Sequence, residues 1–591
     1  MDPVTLALAK GQVATVVVAA SDAPSKSRRH ADFVCDGTDD HVKIQAAIDA
    51  LPANGGVVEL TTGTFTGWVQ VRKEHVTIRG HGHGTILTAA GTATDLHATP
   101  LRLLADHCTV ENLAVDGNKT AMTGSGENYN DGIGIYASHC TVRNCTIEHC
   151  ESHGIIVWNR DSGIEGVTAG ARAGNAIINN RISDTDASAI DFAAGFPEND
   201  TPEMDGNIIS GNVITGPGGD AAITLHCGSR TSIVGNAIYD TPRHGMHIHT
   251  ASVEVSVVGN LIHDVGGIGI RTRSTVGRNK RLTITGNTVA RTGNFGLFLA
   301  ALDDSVVANN IVEDTCLSLV GGEHAVWLSY CGHVRFHGNH VIGSPVASLV
   351  IVSDCANAAV EGNTLSGAAQ HGVAVVGVCA SPRVANNVIT DVGYSGISLA
   401  MAATITGLVA VTGNQIESVG RHGIDLAGVA GATYLDCSRN TISAVGVSGY
   451  RGIYGNALGG TVRISENHVV NTGAWTHIIE LATFDAGLVV VEASGNTVVG
   501  PGTLRIAVPR VRWSGGLLSG NAGMRVALAA TDATIAGVTF RANTTNDIRF
   551  DSPGPADVLL VDCRFQSGLG TPVRDLPAGA VADRNIGWAP A

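Results

Sequence analysis

Short runs of this chain place an apolar residue at every second position, as in Ile223-Thr224-Leu225-His226. A period of two marks strands, because successive side chains of an extended backbone point to opposite faces. Asn and Gly interrupt the runs in a recurring phrase: apolar-x-Gly/Asn-Asn-x-apolar, a polar turn, then Gly-apolar-x-apolar. The asparagines of the phrase are Asn144, Asn180, Asn212, Asn236, Asn260, Asn287, Asn310, Asn339, Asn363, Asn387, Asn414, Asn440, Asn467 and Asn496. Asn112 begins the series and Asn521 ends it. Most spacings lie between 23 and 29 residues, with early ones of 32 and 36. A period in the twenties predicts a solenoid. The units are rich in Val, Ile and Thr and lack a fixed leucine pattern, so each holds two or three short strands. The predicted fold is all-β: a parallel β-helix of about 20 coils stacked at the strand spacing of about 4.8 Å.

The repeated asparagine fits a coil bend. Its short side chain tolerates a left-handed backbone, and its amide can bond the same residue one coil away. Asp184, Asp240, Asp264, Asp314 and Asp391 recur four residues after the ladder and read as turn residues. The histidines of the His-Gly pairs at His153, His244, His371 and His422 read as structural positions before a turn glycine. One segment departs from the strand pattern. Ile44, Ala47, Ile48 and Leu51 share one helical face, and Pro52 with Gly55-Gly56 ends the helix before the strand Val57-Val58-Glu59-Leu60. A helix there would cover the open edge of the first coil.

Composition narrows the function. The chain has 591 residues, 75 of them glycine, with 37 basic and 52 acidic residues and a net charge of −15. That balance argues against nucleic acid as a partner. An apolar fraction of 44% excludes a disordered chain. The sequence holds no apolar run long enough for membrane insertion. The start, Met-Asp-Pro-Val-Thr, is acidic, and its apolar stretch is broken by Lys10 and Gln12, so no signal peptide is expected. The twelve cysteines form no C-x-x-C pair, and Cys140, Cys145 and Cys150 complete no zinc pattern. They are expected to be small buried residues of a reduced protein. Gly80-His81-Gly82-His83-Gly84 precedes no helix, which rules out a phosphate loop.

The phrase Asp36-Gly37-Thr38-Asp39-Asp40, then Ile44-Gln45-Ala46-Ala47-Ile48-Asp49 and Gly55-Gly56, resembles the entry module of the pectate-lyase-like β-helix superfamily. That superfamily includes polysaccharide lyases, mannuronan C5-epimerases and phage tailspikes. The resemblance spans roughly residues 30–570 and implies a single-stranded right-handed parallel β-helix with a short N-terminal capping helix. Met1–Lys10, Val17–Asp22 and the tail Asp583–Trp588 also resemble minor tail proteins of actinobacterial phages. The resemblance implies a polysaccharide partner, a homotrimer and neighbouring virion tail components. It also implies cytoplasmic synthesis, with a location on a virion tail or otherwise outside the cell by a non-classical route. The implied organisation is an attachment or linker segment at 1–30 and an entry helix with the first strand at 31–60. The parallel β-helix follows at 61–521, and the last coils with a C-terminal cap at 522–591.

Chemistry is expected on one outward face. Aligning the coils on the asparagine gives these outward pairs on the strand that follows: Ile156 and Trp158; Asp191 and Ala193; Thr224 and His226; His247 and His249; Arg271 and Arg273; Phe298 and Ala300; Trp327 and Ser329. Four neighbouring coils therefore present Asp191, Thr224, His226, His247, His249, Arg271 and Arg273. Adjacent positive charge disfavours a protonated imidazole, which leaves His247 or His249 competent as a base. Arg271 or Arg273 can clamp a carboxylate. Trp158, Phe298 and Trp327 offer apolar faces to sugar rings. This set suits β-elimination or C5-epimerisation of a uronate, with Asp191, His247, His249, Arg271 and Arg273 as catalytic candidates. Thr224, His226, Trp158, Phe298, Trp327, Glu198 and Asp200 are the substrate-binding candidates.

Two departures from the family stand out. Lysine is a common base in the related lyases, but only Lys280 lies near this region, and the epimerases' Asp-Pro-His-containing motif is absent. A hydrolytic alternative pairs Asp191 with a carboxyl of the acidic insertion around Glu198 and Asp200. A second insertion, Thr120–Asp131 with Glu127, Tyr129 and Asp131, is a candidate groove wall. The non-catalytic alternative is a structural or glycan-binding tail or adhesin rod. The expected chemistry requires no cofactor. Many aspartates make Ca2+ a candidate ligand, yet no spacing specifies a metal site.

Overall fold

A computed structural model describes residues 14–588 except 91–98, 122–129, 160–166, 194–203, 275–276, 320–321, 445–448, 473–474, 521–522, 528–530, 552–556 and 570. For 401–403, 444 and 486 only the backbone is described. The chain is an all-β parallel solenoid of about 18 turns, with two α-helices among the described residues. It divides into two units: residues 1–293 with 301–305, and residues 294–300 with 306–591.

In the first unit, one coil shows how alternation becomes structure. Ser256–Val258, Leu261–Val265 and Ile270–Arg273 are three strands. Each pairs in parallel, without register shift, with its counterpart one coil earlier: Ser232–Val234, Ala237–Thr241 and His244–His249. Unshifted register turns the inward positions into columns. Ile147, Ile182, Ile214, Ile238, Ile262 and Val289 stand on successive strands and are buried. Each such side chain contributes about 1.5–3 kcal/mol by leaving water. In the second unit the equivalent column runs through Val341, Leu365, Ile389, Ile416, Ile442, Val469, Val498 and Leu518 to Phe540 and Phe565.

The asparagine ladder is continuous within each unit. Asn180, Asn212, Asn236, Asn260 and Asn287 form it in the first, and Asn310, Asn339, Asn363, Asn387, Asn414, Asn440, Asn467 and Asn496 in the second. Asn212 donates its backbone N–H and its Nδ2 to Oδ1 of Asn236, at 3.0 and 2.9 Å. Asn236 Nδ2 donates to Asn260 Oδ1 at 2.9 Å and to the carbonyl of Ile209 at 3.0 Å. The structure corrects three expectations. The left-handed backbone belongs to the residue before the ladder asparagine, such as Gly235 (φ 63°) or Asn179 (φ 55°), and not to the asparagine itself. Asn144 is one of these corner residues (φ 55°), and its coil places Cys145 in the ladder, where the Cys145 N–H donates to Asn180 Oδ1 at 3.0 Å. Asn112 (φ 57°) is likewise a corner residue. Asn521 lies outside the described residues. The aspartates Asp184, Asp240, Asp264, Asp314 and Asp391 have left-handed backbones, but all except Asp314 lie inside strands and not in turns.

The His-Gly pairs have two separate jobs. Gly245 is required by close approach: a Cβ there would meet the Gly269 carbonyl oxygen and Ile262 Cγ2, both at 2.6 Å. The histidine before it caps the next coil. The Ile268 N–H donates to His244 Nδ1 at 3.0 Å, and in the second unit the amides of Ser348, Ser395 and Arg451 donate to Nδ1 of His324, His371 and His422 at 3.4, 3.3 and 3.1 Å. Burial lowers the pKa of all four rings to about 4. His153 departs from this pattern: it lies between two carboxylates.

At the N-terminal side, the helix His41–Ala50 buries Ile44, Ala47 and Ile48, and Leu51 follows them into the core. It packs on Thr15–Ala19, Gly56–Leu60 and Val69–Val71. Thr15–Ala19 pairs in parallel with Gly56–Leu60, so part of the segment expected as a 1–30 linker is a strand of the coil. Beyond residue 522 the coils continue: Phe540 stacks on Phe565 at 5.2 Å, and Trp588 meets Phe565 edge-on at 5.7 Å. All twelve cysteines are buried free thiols, as expected of small core residues.

Two outcomes follow for stability. Asn236→Ala leaves the buried amide groups of Asn212 and the Ile209 carbonyl without partners, so it costs about 2–4 kcal/mol, read as a lowered midpoint in thermal unfolding. The four capping histidines bind protons less readily folded than unfolded. Their contribution is therefore full above about 6.5 and is lost as pH falls through about 4. Calorimetry at pH 7 and at about pH 4.5 is expected to show the lower midpoint in acid.

Candidate functional site

The first unit carries a cleft of about 360 Å³ lined by His153, Ala187, Ser188, Asp191, Gly219, Asp220, Thr224, His226, His247, His249, Arg271 and Arg273. The strands Ile155–Trp158, Ile190–Ala193, Ala221–His226, His244–His249 and Ile270–Arg273 supply its floor. Parallel register sets two files. Ile156, Asp191, Thr224, His247 and Arg271 are direct neighbours in one. His226, His249 and Arg273 are direct neighbours in the other. The files expected from alternation are therefore present, but they are recessed. Asp191, Thr224, His247 and His249 are all buried.

Two charge networks hold the cleft. In the first, His153 lies between carboxylates, with Nδ1 2.9 Å from Asp131 and Nε2 3.2 Å from Asp191. Burial opposes the charge on this ring, but the hydrogen bonds to Asp131 and Asp191 outweigh it and raise its pKa to about 10. In the second, Asp220 accepts from His247 Nδ1 at 2.9 Å, with Arg271 Nη1 3.8 Å away and Arg243 Nη1 at 3.7 Å. The His247 hydrogen bond, with the nearby His244, His247 and Arg271 charges, holds the Asp220 carboxyl well below the usual carboxylate range. Burial, reinforced by His226, His247, Arg273 and Arg271, lowers the His249 pKa to about 3. Arg271 Nη1 sits 3.0 Å from His244 Nε2.

Among the described residues lining the cleft, three buried side-chain atoms have no hydrogen-bond partner: Asp191 Oδ1, His247 Nε2 and Arg271 Nε. All belong to one file. Buried polar groups are ordinarily satisfied, so three such atoms in one file point to a ligand.

The other expected residues fall as follows. Thr224 Oγ1 is engaged by Ser188 Oγ at 3.1 Å. The His226 ring tilts against His249 at 4.9 Å. Arg273 is exposed at the rim. Trp158 packs sideways against the small cluster of Tyr136 and Val167, beside Leu104, and is not among the residues lining the cleft. Phe298 and Trp327 lie in the second unit, where they meet edge-on at 5.6 Å and pack with Phe295 and His324. Glu198, Asp200, Glu127 and Tyr129 lie outside the described residues.

Asp220, His153 and His244 escaped the sequence reading as site residues. Asp220 and His153 stand just before their strands and His244 is the first residue of its own, so alternation gave no sign of their direction. Asp220 had one available signal: it follows Gly218-Gly219 at the corner entering the strand that carries Thr224 and His226.

No group of three or more His, Cys, Asp or Glu side chains among the described residues is arranged to hold a metal. No described helix is long and apolar enough to cross a membrane.

Among curated proteins, none matches this chain. Among solved structures, the chain is similar to PfbA, a surface adhesin of Streptococcus pneumoniae, at 15% identity and a TM-score of 0.42, over 54% of this chain and 86% of that one. It is similar to the catalytic unit of a GH87 alpha-1,3-glucanase from Streptomyces thermodiastaticus at 17% identity and a TM-score of 0.40, over 63% and 65%. It is similar to the Dettilon tailspike protein at 16% identity and a TM-score of 0.29, over 71% and 68%. At these identities nothing of those proteins' activity transfers to this chain. The right-handed beta helix region family matches residues 74–276, 221–389 and 324–501, which together cover most of the chain. Its coils, its ladders and that match agree: the chain belongs to the right-handed β-helix family.

Proposed function

We propose that the cleft binds a uronate residue of an acidic polysaccharide and removes the proton beside its carboxylate, as a lyase or a C5-epimerase does. One observation carries this reading. His247 Nε2 and Arg271 Nε are both buried, both lack a partner, and belong to residues directly opposite on adjacent strands. A base and a carboxylate clamp thus stand side by side, about 4.8 Å apart along the sheet.

The steps follow from that pairing. Arg271, with Arg273 at the rim, neutralises the sugar carboxylate and so acidifies the adjacent C5–H. Asp220 accepts from His247 Nδ1, which turns the Nε2 lone pair toward the substrate and stabilises the imidazolium once it forms. His247 takes the C5 proton. In elimination the electron pair forms the C4–C5 double bond, the C4–O bond breaks, and the leaving oxygen takes a proton from water. In epimerisation a proton returns to C5 on the opposite face. His249, with its pKa near 3, is too weak a base for this role at neutral pH.

Hydrolysis fits less well. It needs one carboxyl that holds a proton. The described carboxylates lining the cleft are Asp191 and Asp220. Asp220 is held ionised by His247, and Asp191 accepts from a charged His153. The likeness of Met1–Lys10, Val17–Asp22 and Asp583–Trp588 to phage minor tail proteins makes a virion tail the expected location and a trimer the expected assembly.

Incubation with pectate, alginate and native host envelope, read by the ultraviolet absorbance of unsaturated uronate and by C5 inversion in NMR, tests the reading. His247→Ala and Arg271→Ala are each expected to lower kcat by about 10²–10⁴, and Asp220→Asn to lower kcat with KM little changed. If wild type and variants are equally inert on every substrate, the protein is a binding or structural rod. Arg271 supplies the neutralising charge, so activity is expected to survive EDTA; a strict calcium requirement would overturn that assignment.

A further inference from the structure

Outward side chains at equivalent places on successive coils alternate in sign in two files of this protein. In the second unit Asp436, Arg463, Glu492 and Arg512 follow one another on adjacent strands. In the first unit Glu111 lies between Arg79 and Arg143 and bonds both. Such alternation is expected, because like charges directly opposite on neighbouring strands repel.

One file in the second unit does the reverse. Arg505, Arg525, Arg549 and Arg574 are direct neighbours on four successive strands. Arg525 stands between buried Met524 and Val526, and Arg549 between buried Ile548 and Phe550, so alternation aims them outward. Their acidic partners tie down only part of each guanidinium. Arg505 Nη1 contacts buried Glu480 at 2.5 Å. Arg525 Nε contacts Asp551 at 2.9 Å, while Nε of Arg549 and of Arg574 approach the same Asp575 at 3.8 and 3.6 Å. Among the described residues the Nη atoms of Arg525, Arg549 and Arg574 have no partner, and these side chains are 44, 47 and 58% exposed.

We propose that this file is a binding strip for an extended anionic glycan, separate from the cleft in the first unit. Each Nη pair is a two-pronged donor suited to a carboxylate or sulfate. The strips of donors repeat at the strand spacing of about 4.8 Å, and a pyranose in an extended chain advances by roughly one such rung. Successive acidic sugars can therefore meet successive arginines. The mutual repulsion of the four cations, a cost to the bare fold, becomes attraction for a polyanion. A nucleic acid is the less favoured polyanion, because single-strand sites add aromatic platforms on which the bases stack, and this file holds only arginines. The strip can hold glycan whether or not the cleft is catalytic.

Binding of the full chain to polygalacturonate, dextran sulfate, neutral dextran and a single-stranded oligonucleotide, by calorimetry across a salt series, tests this. Wild type is expected to bind one or both acidic glycans, with the carboxylate and sulfate arms distinguishing the source, and to ignore dextran. The triple variant Arg525→Gln/Arg549→Gln/Arg574→Gln is expected to lose about ten- to a hundredfold in affinity and to show a shallower salt dependence. Asp575→Asn, which frees two guanidinium groups, is expected to bind more tightly and serves if the triple variant misfolds. Unchanged affinity in both variants, or tighter binding of the oligonucleotide than of either glycan, would overturn the proposal. Cleavage or epimerisation of a short oligouronate is expected to be the same in wild type and in both variants, which separates this strip from the cleft.

Discussion

Parallel pairing in register, interrupted by shifts at four described strand pairs of the second unit, is the constraint on which everything else in this protein rests. A single strand of three to five residues has too little edge and too little apolar surface to stand alone. Stacked at a fixed offset, each coil closes the hydrogen bonds of the one before it. Register also decides chemistry, because a slip of one residue would turn every inward side chain out and every outward one in. The buried asparagine ladder is the device that forbids the slip. Asn236 bonds the coil before it and the coil after it through the same side-chain amide, and a shift in either direction would leave several buried polar atoms unmet.

The same rigidity explains how a recessed polar site is tolerated. Asp191, His247 and Arg271 occupy positions whose neighbours along the strand are fully buried: Ile190 and Phe192, Met246 and Ile248, Ile270 and Thr272. Their charges are matched by groups on the corners, not on the strands: Asp131, His153 and Asp220. A corner residue held by the next coil has little freedom to move away, so the carboxylates are preorganised around the imidazoles without a dedicated loop.

Much of this was legible in the sequence. The alternation of Ile223-Thr224-Leu225-His226 fixed the strand and its faces, and the asparagine spacing fixed the coil. Together they aligned Asp191, Thr224, His247 and Arg271 correctly before any coordinates. Legibility ended at the corners, where no period operates. Asn144 and Cys145 show this most simply: the conspicuous residue is the bend, and the inconspicuous one carries the ladder bond. His153 and His244 make the same point. Both precede a glycine and look alike in sequence, yet one is sandwiched by carboxylates and the other caps a neighbouring amide. Trp158 failed for a different reason. Its position on the strand was right, but its ring is taken up by Tyr136 and Leu104, contacts that are remote in sequence.

The coils differ in length far more than they differ in structure. Residues 250–255 join the third strand of one coil to the first strand of the next, and residues 159–175 do so in another, yet the strands on both sides keep perfect step. That corner varies in length while residues within it still tie coil to coil: the Cys140 N–H donates to Asn175 Oδ1 at 2.9 Å and the Gly228 N–H to Ser252 Oγ at 3.1 Å. A lineage can lengthen, replace or decorate it coil by coil without renegotiating the scaffold. In this architecture length varies at one seam, and the floor of the cleft beside that seam stays where the register put it.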